Sequence, residues 1–160
     1  SSSGGVFGTL ANAILSDGGL VCGCTYDKNM KATHVLSDDR KQIQSMYGSK
    51  YVQSEIASSF EQIQRQVTAG RTVLFTGTAC QIAALRLYLA KEYDNLYCVE
   101  ILCHGVPSPG LFRCYVEYLE RKLGGRISDI QFRNKEKKKG NYRISKICCT
   151  FAAKRKIESV

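Results

Sequence analysis

The chain has 160 residues, 44% of them hydrophobic and 23% charged, a balance that gives one folding unit with a real core and excludes a disordered or collagen-like chain. No apolar run approaches the roughly 20 residues that a bilayer-spanning helix needs, so no membrane span is expected. The start, Ser1-Ser2-Ser3-Gly4-Gly5-Val6-Phe7, has neither an initiator Met nor a basic leader, and it reads as an excised start rather than a secretory signal.

The net charge of +9 is unevenly spread. Residues 126–160 carry eleven Lys/Arg against three Asp/Glu, which leaves 12 against 11, a net of +1, for residues 1–125. The densest run, Lys135-Glu136-Lys137-Lys138-Lys139-Gly140, lies between two strand-like stretches and reads as a solvated loop. It has no interleaved aromatics, so nucleic acid is not the expected partner. Eight cysteines, at 22, 24, 80, 98, 103, 114, 148 and 149, lack the spacing of a secreted disulfide scaffold and include no C-x-x-C pair. A cytoplasmic location is expected, and any metal or redox role has to come from thiols that the fold brings together.

In chain order, a first helix is predicted over 6–16, with Val6, Phe7, Leu10 and Ile14 on one face and Gly18-Gly19 as its stop. Strands follow at 20–26 and 32–36, separated by the turn-forming Asp27-Lys28-Asn29. Ser37-Asp38-Asp39 caps a short polar helix to about 46, and residues 48–52 form a loop entering a strand. Ser54 reads as the N-cap of a helix striped by Ile56, Phe60, Ile63 and Val67 and stopped by Gly70. A buried strand over 71–76 then turns through Gly77-Thr78-Ala79 into a helix over 80–91. The next strand covers 96–102, a loop 103–109, a helix 110–123, and strands 127–133 and 142–151.

Strand, helix, strand with short connections is a βαβ unit, which predicts two adjacent parallel strands. The expected fold class is therefore α/β, a mixed, partly parallel sheet with helices packed on it, in a single domain over 1–160. Ligands of such sheets sit beyond the carboxyl ends of the strands, and Cys80 and Cys103 both follow such ends. In Gly77-Thr78-Ala79-Cys80-Gln81 a thiol stands at a helix start, where the dipole favours thiolate, the form that binds iron. Ser1-Ser2-Ser3-Gly4-Gly5 before a helix offers hydroxyls and amides to a phosphate. Gly48-Ser49-Lys50-Tyr51 adds a cation, a hydroxyl and a ring suited to a dinucleotide or flavin.

Together with Cys103-His104-Gly105-Val106-Pro107-Ser108-Pro109 and Phe132-Arg133-Asn134-Lys135, these motifs stand in an order and at separations that resemble the beta subunits of coenzyme F420 hydrogenases and dehydrogenases. The likeness runs from Ser1 to about Tyr142, and the Cys-His-Gly-Val-Pro-Ser-Pro form resembles the bacterial branch. The resemblance implies a flavoprotein that passes electrons between FAD and [4Fe-4S] clusters. It implies that Ser3, Gly4 and Gly5 cradle FAD phosphate, that Ser49, Lys50 and Tyr51 line the flavin, that Thr78 and Gln81 touch it, and that Cys80 and Cys103 ligate a cluster. Lys50 would tune the flavin.

Three departures stand out. Ala79 occupies the place of the family's Pro in Gly-Thr-Pro-Cys. The ferredoxin-like cysteine motifs that usually precede the Ser-Gly-Gly region, and a cysteine-bearing segment expected beyond 160, are not in this sequence, and the two rim thiols alone do not complete the four ligands of a cubane cluster. The expected partners are thus a ferredoxin-like domain or electron-transfer partner and a small-molecule substrate that the sequence does not identify. Cys22, Cys24, Cys98, Cys114, Cys148 and Cys149 are assigned to packing and structure. Two other classes compete with this reading: a thiol nucleophile, Cys80 or Cys103, with His104 as its base, and a non-catalytic partner-binding module whose basic tail docks on an acidic protein or nucleic acid.

Overall fold

A computed structural model describes residues 5–132 and, beyond them, the backbone of four short strands between 134 and 158. The apolar run of β1 (Leu20–Tyr26) alternates its side chains between two buried faces, so it forms a central strand rather than a half-exposed one. It pairs antiparallel with β2 (Ala32–Ser37) and parallel with β3 (Val73–Thr78), and β3 pairs parallel with β4 (Leu96–Ile101). The result is a four-stranded mixed sheet in the order β2-β1-β3-β4, the α/β class expected from the sequence.

Five helices among the described residues pack on this frame. On one face, Leu20, Cys22, Val73 and Phe75 of the sheet meet Phe60, Ile63 and Val67 of α3 (Ala57–Thr68) and Ile82, Leu85 and Leu89 of α4 (Ala79–Leu89). On the other, Val21 and Leu74 meet Ala11 of α1 (Gly5–Ser16) together with Ile43 of α2 (Arg40–Ser45) and Met46 just past it. The fifth helix, α5 (Pro109–Leu123), does not return to the sheet centre. Its Phe112, Val116 and Leu119 pack with Met30 and Ala32 at the β1–β2 turn and with Ile127 and Ile130 of β5 (Ile127–Gln131). No helix among the described residues is long and apolar enough to cross a membrane.

Four local expectations are corrected. Ser54 does not cap α3: Ile56 stands at the N-cap, without a side-chain cap bond, because the Ser54 hydroxyl is engaged elsewhere. Residues 48–52 enter no strand; three residues later Glu55 makes one parallel bridge, with Thr33, along the edge of β2. The strand expected over 142–151 is two, β7 (Asn141–Ser145) and β8 (Cys148–Phe151), and the basic stretch read as a loop supplies β6 (Asn134–Lys138), the antiparallel partner of β7. Strand β8 pairs instead with β5 and with β9 (Lys156–Glu158), so β7 and β8 belong to different sheets.

Candidate functional site

The register of β3 against β4 decides where the two candidate thiols lie. Thr78 and Ile101, the last residues of neighbouring parallel strands, are directly opposite each other. Cys80 and Cys103 each follow by two residues, so both leave the same carboxyl-end rim, and both are exposed. The Thr78 hydroxyl lies 3.2 Å from the Cys80 sulfur, and the Gly105 amide donates to the Cys103 sulfur at 3.3 Å. Among the described residues no three His, Cys, Asp or Glu side chains converge into a metal site. His104 is exposed in the same loop, and among the described residues no hydrogen bond joins it to either thiol.

The 48–54 segment meets this rim at two points. The Gln53 amide donates to the Pro107 carbonyl at 3.2 Å, which ties the Cys103 loop down, and the Gln81 amide nitrogen donates to the Ser54 hydroxyl at 2.9 Å. Three motifs far apart in sequence are thereby gathered at one end of the sheet. Thr78 and Gln81 form a reciprocal cap at the start of α4, with the Thr78 amide donating to Gln81 Oε1 at 3.0 Å.

Beside the rim a cleft of about 510 Å³ is lined by Tyr26, Tyr47, Gly48, Ser49, Lys50 and Asp129, among others. The Lys50 ammonium donates to the carbonyls of Ser45 and Tyr47, at 2.8 and 2.9 Å, and to that of Gly48 at 3.4 Å, so it holds the carboxyl end of α2 while its charge stays in the wall. Burial pulls its pKa down, an effect opposed by the neighbouring Cys24 and Asp129. The Tyr26 hydroxyl is buried with no hydrogen-bond partner among the described residues, and burial raises its pKa. Tyr51 is not part of this lining; its ring meets Phe132, which is, edge-on at 5.4 Å.

Gly5 opens α1, whose first turns pack on the same wall: the Phe7 ring contacts Tyr47 at 5.4 Å, and a Cβ at Gly8 would stand 2.8 Å from the Tyr47 hydroxyl. Ser3 and Gly4, expected at a phosphate, lie outside the described residues. Of the thiols assigned to structure, Cys22 is fully buried and its pKa is pushed up to about 12 by that burial, Cys24 and Cys98 are partly buried, and Cys114 is exposed on α5. The side chains of Cys148 and Cys149 lie outside the described residues.

Sequence reading missed His34, which is 4% exposed inside β2 and stacks on Phe75 at 5.4 Å between ring centroids. The signal was available in the period-two alternation, which places position 34 inward with Ala32. Tyr26 was missed because nothing local distinguishes an orphaned phenol from a packed one.

These features define an α/β protein whose thiols, amides and the half-buried Lys50 cation gather at the carboxyl ends of parallel strands, the region where sheets of this kind hold ligands. The family described as the C terminus of the coenzyme F420 hydrogenase/dehydrogenase beta subunit matches residues 70–156, more than half of the sequence, and the chain belongs to this family of oxidoreductase subunits. The structure of the xenon-derivatised F420-reducing [NiFe] hydrogenase complex from Methanosarcina barkeri contains a similar chain, with a TM-score of 0.61 at 21% identity over 98% of this chain and 53% of that one. At that identity the likeness is one of fold, and this chain spans about half the length of the other. No curated protein matches the chain.

Proposed function

We propose that this chain is the flavin-holding part of an oxidoreductase of the F420 hydrogenase/dehydrogenase beta type, with FAD in the Lys50 cleft and a [4Fe-4S] cluster held in part by Cys80 and Cys103. The observation that carries the reading is the meeting of the 48–54, 77–81 and 103–108 segments at one strand-end rim, fastened by the Gln53 to Pro107 and Gln81 to Ser54 bonds. The cleft suits a flavin on its own evidence. The Tyr26 hydroxyl is a buried donor awaiting an acceptor, Ser49 and Gly48 offer a hydroxyl and an unhindered turn, and Lys50 presents a cation whose protons are already fixed on carbonyls.

Bound FAD would supply the hydride and single-electron chemistry, which the protein steers by placement and electrostatics. Lys50 lowers the energy of negative charge arriving in the cleft. Tyr26 orients an acceptor. The two exposed thiols wait on the side of the rim that the 103–108 loop leaves open to solvent, so the remaining cluster ligands come from outside the described residues, from a ferredoxin-like domain or electron-transfer partner. A small molecule that exchanges hydride with a flavin is the substrate class.

Anaerobic purification followed by a visible spectrum and an iron assay tests the proposal. Flavin bands beside a broad iron-sulfur shoulder are expected, and FAD titration of the colourless protein should restore the former. Lys50→Ala should weaken flavin binding or slow its reduction; a titration identical to that of the unsubstituted protein removes Lys50 from the site. Protein that takes up neither flavin nor iron under these conditions overturns the assignment.

A further inference from the structure

The buried histidine belongs to a closed ring of hydrogen bonds around the turn that carries Cys80. The Thr76 carbonyl can only accept, so His34 Nε2, 3.0 Å away, carries the proton. His34 Nδ1 is then an acceptor, and the Ser54 hydroxyl, 3.2 Å from it, donates. Ser54 in turn accepts from Gln81 Nε2 at 2.9 Å, and Gln81 Oε1 accepts from the Thr78 amide at 3.0 Å. Thr76 and Thr78 lie two residues apart on β3, so four bonds return to the strand from which they began.

Every donor direction in this ring is fixed by its neighbour. Both ends of the Gln81 amide are engaged, one by backbone and one by Ser54, and this sets the first turn of α4 against the end of β3. The space for the amide exists because residue 77 is glycine: a Cβ there would stand 3.1 Å from Gln81 Oε1 and 2.9 Å from the Phe75 ring. Burial lowers the His34 pKa, which keeps the imidazole in the neutral form that the ring needs.

We propose that His34 and Ser54 are positioning residues for the rim, a closed hydrogen-bond ring from β2 through residue 54 to α4 fixing the Thr78, Cys80 and Gln81 turn; the role rests on the reading of that rim as the redox site. Neither residue contacts the Cys80 or Cys103 sulfur in the hydrogen bonds of this ring. Removing the Ser54 hydroxyl takes these partners from Gln81 Nε2 and His34 Nδ1 in a half-buried setting, and the Gln81 amide is freed to turn away from the Thr78 backbone.

The test needs no cofactor, so it separates the positioning role from the redox assignment. Alkylation by iodoacetamide is followed at Cys80 and Cys103 separately by peptide mass spectrometry, and the His34 ring is observed by nitrogen-15 NMR. In the unsubstituted protein the ring should show a single proton on Nε2. Ser54→Ala should raise the Cys80 rate several-fold while Cys103, on the same rim but outside the ring, keeps its rate. Ser54→Thr should restore the Cys80 rate. An unchanged Cys80 rate in Ser54→Ala, an equal rise at both thiols, or a proton on His34 Nδ1 in the unsubstituted protein overturns the proposal, and the NMR result holds whether or not the variants fold. Should Cys80 respond as expected in a protein that binds no flavin, the positioning role stands and the redox reading falls.

Discussion

At the scale of single residues, the two histidines illustrate what neighbours in space add to neighbours in sequence. His104 attracted attention because it stands beside Cys103, yet it is exposed in a loop. His34 stands beside nothing reactive in sequence and lies at the centre of the polar ring. Its lowered pKa, caused mainly by burial, makes a prediction about stability with a definite sign. At neutral pH the imidazole is neutral in both folded and unfolded chains, so it adds no pH dependence. As pH falls through about 6.5 the unfolded chain takes up the proton first, and unfolding gains free energy until the folded form titrates as well. Urea midpoints should therefore fall more steeply below about pH 6.5 in the unsubstituted protein than in His34→Gln; parallel curves for the two would show that His34 is not held neutral.

Among the elements, the helix starts show where local chemistry and tertiary demand agree and where they part. Ser108 caps α5, accepting from the Leu111 amide at 3.3 Å, with Pro109 in the first turn, a pattern written in the sequence. Ser108→Ala should cost about 1 kcal/mol in chemical denaturation, since an exposed orphaned amide recovers part of its loss from water. A cost near zero would show that the cap bond is not formed in solution. Ser54 presented an equally good cap signal and was claimed by His34 and Gln81, leaving Ile56 to start α3. A cap bond contributes about as much as any other hydrogen bond, so two half-buried partners, an acceptor and a donor, outcompete it. Strand β6 escaped reading for a related reason: Lys and Glu have little intrinsic preference for strands, and its backbone pairing with β7 is what makes it one.

For the molecule as a whole, the sheet and its two helical layers set stability. Ile63, fully buried between α3 and the sheet, should cost roughly 2–5 kcal/mol on truncation to Ala, whereas Leu87, 82% exposed on α4, should change stability by no more than about 0.5 kcal/mol. Equal effects in urea unfolding would contradict the layer assignment. Apart from the strand expected after residue 48, the order of helices and strands through α5, the parallel pairing of β3 with β4 and the placing of Cys80 and Cys103 after strand ends were legible in the chain, because hydrophobic period, Gly stops and the βαβ rule act over short separations. The family motifs were legible too, as local strings of residues. Tertiary structure alone decided which of those strings touch. It separated Ser49 and Lys50, in the cleft, from Thr78 and Gln81, at the rim, and tied Gln81 to Ser54 and, through it, to His34. It also turned Lys50 onto three carbonyls and left the Tyr26 hydroxyl buried without a partner among the described residues. Side-chain direction across a packed interface depends on atoms from distant segments, and no local pattern carries that information.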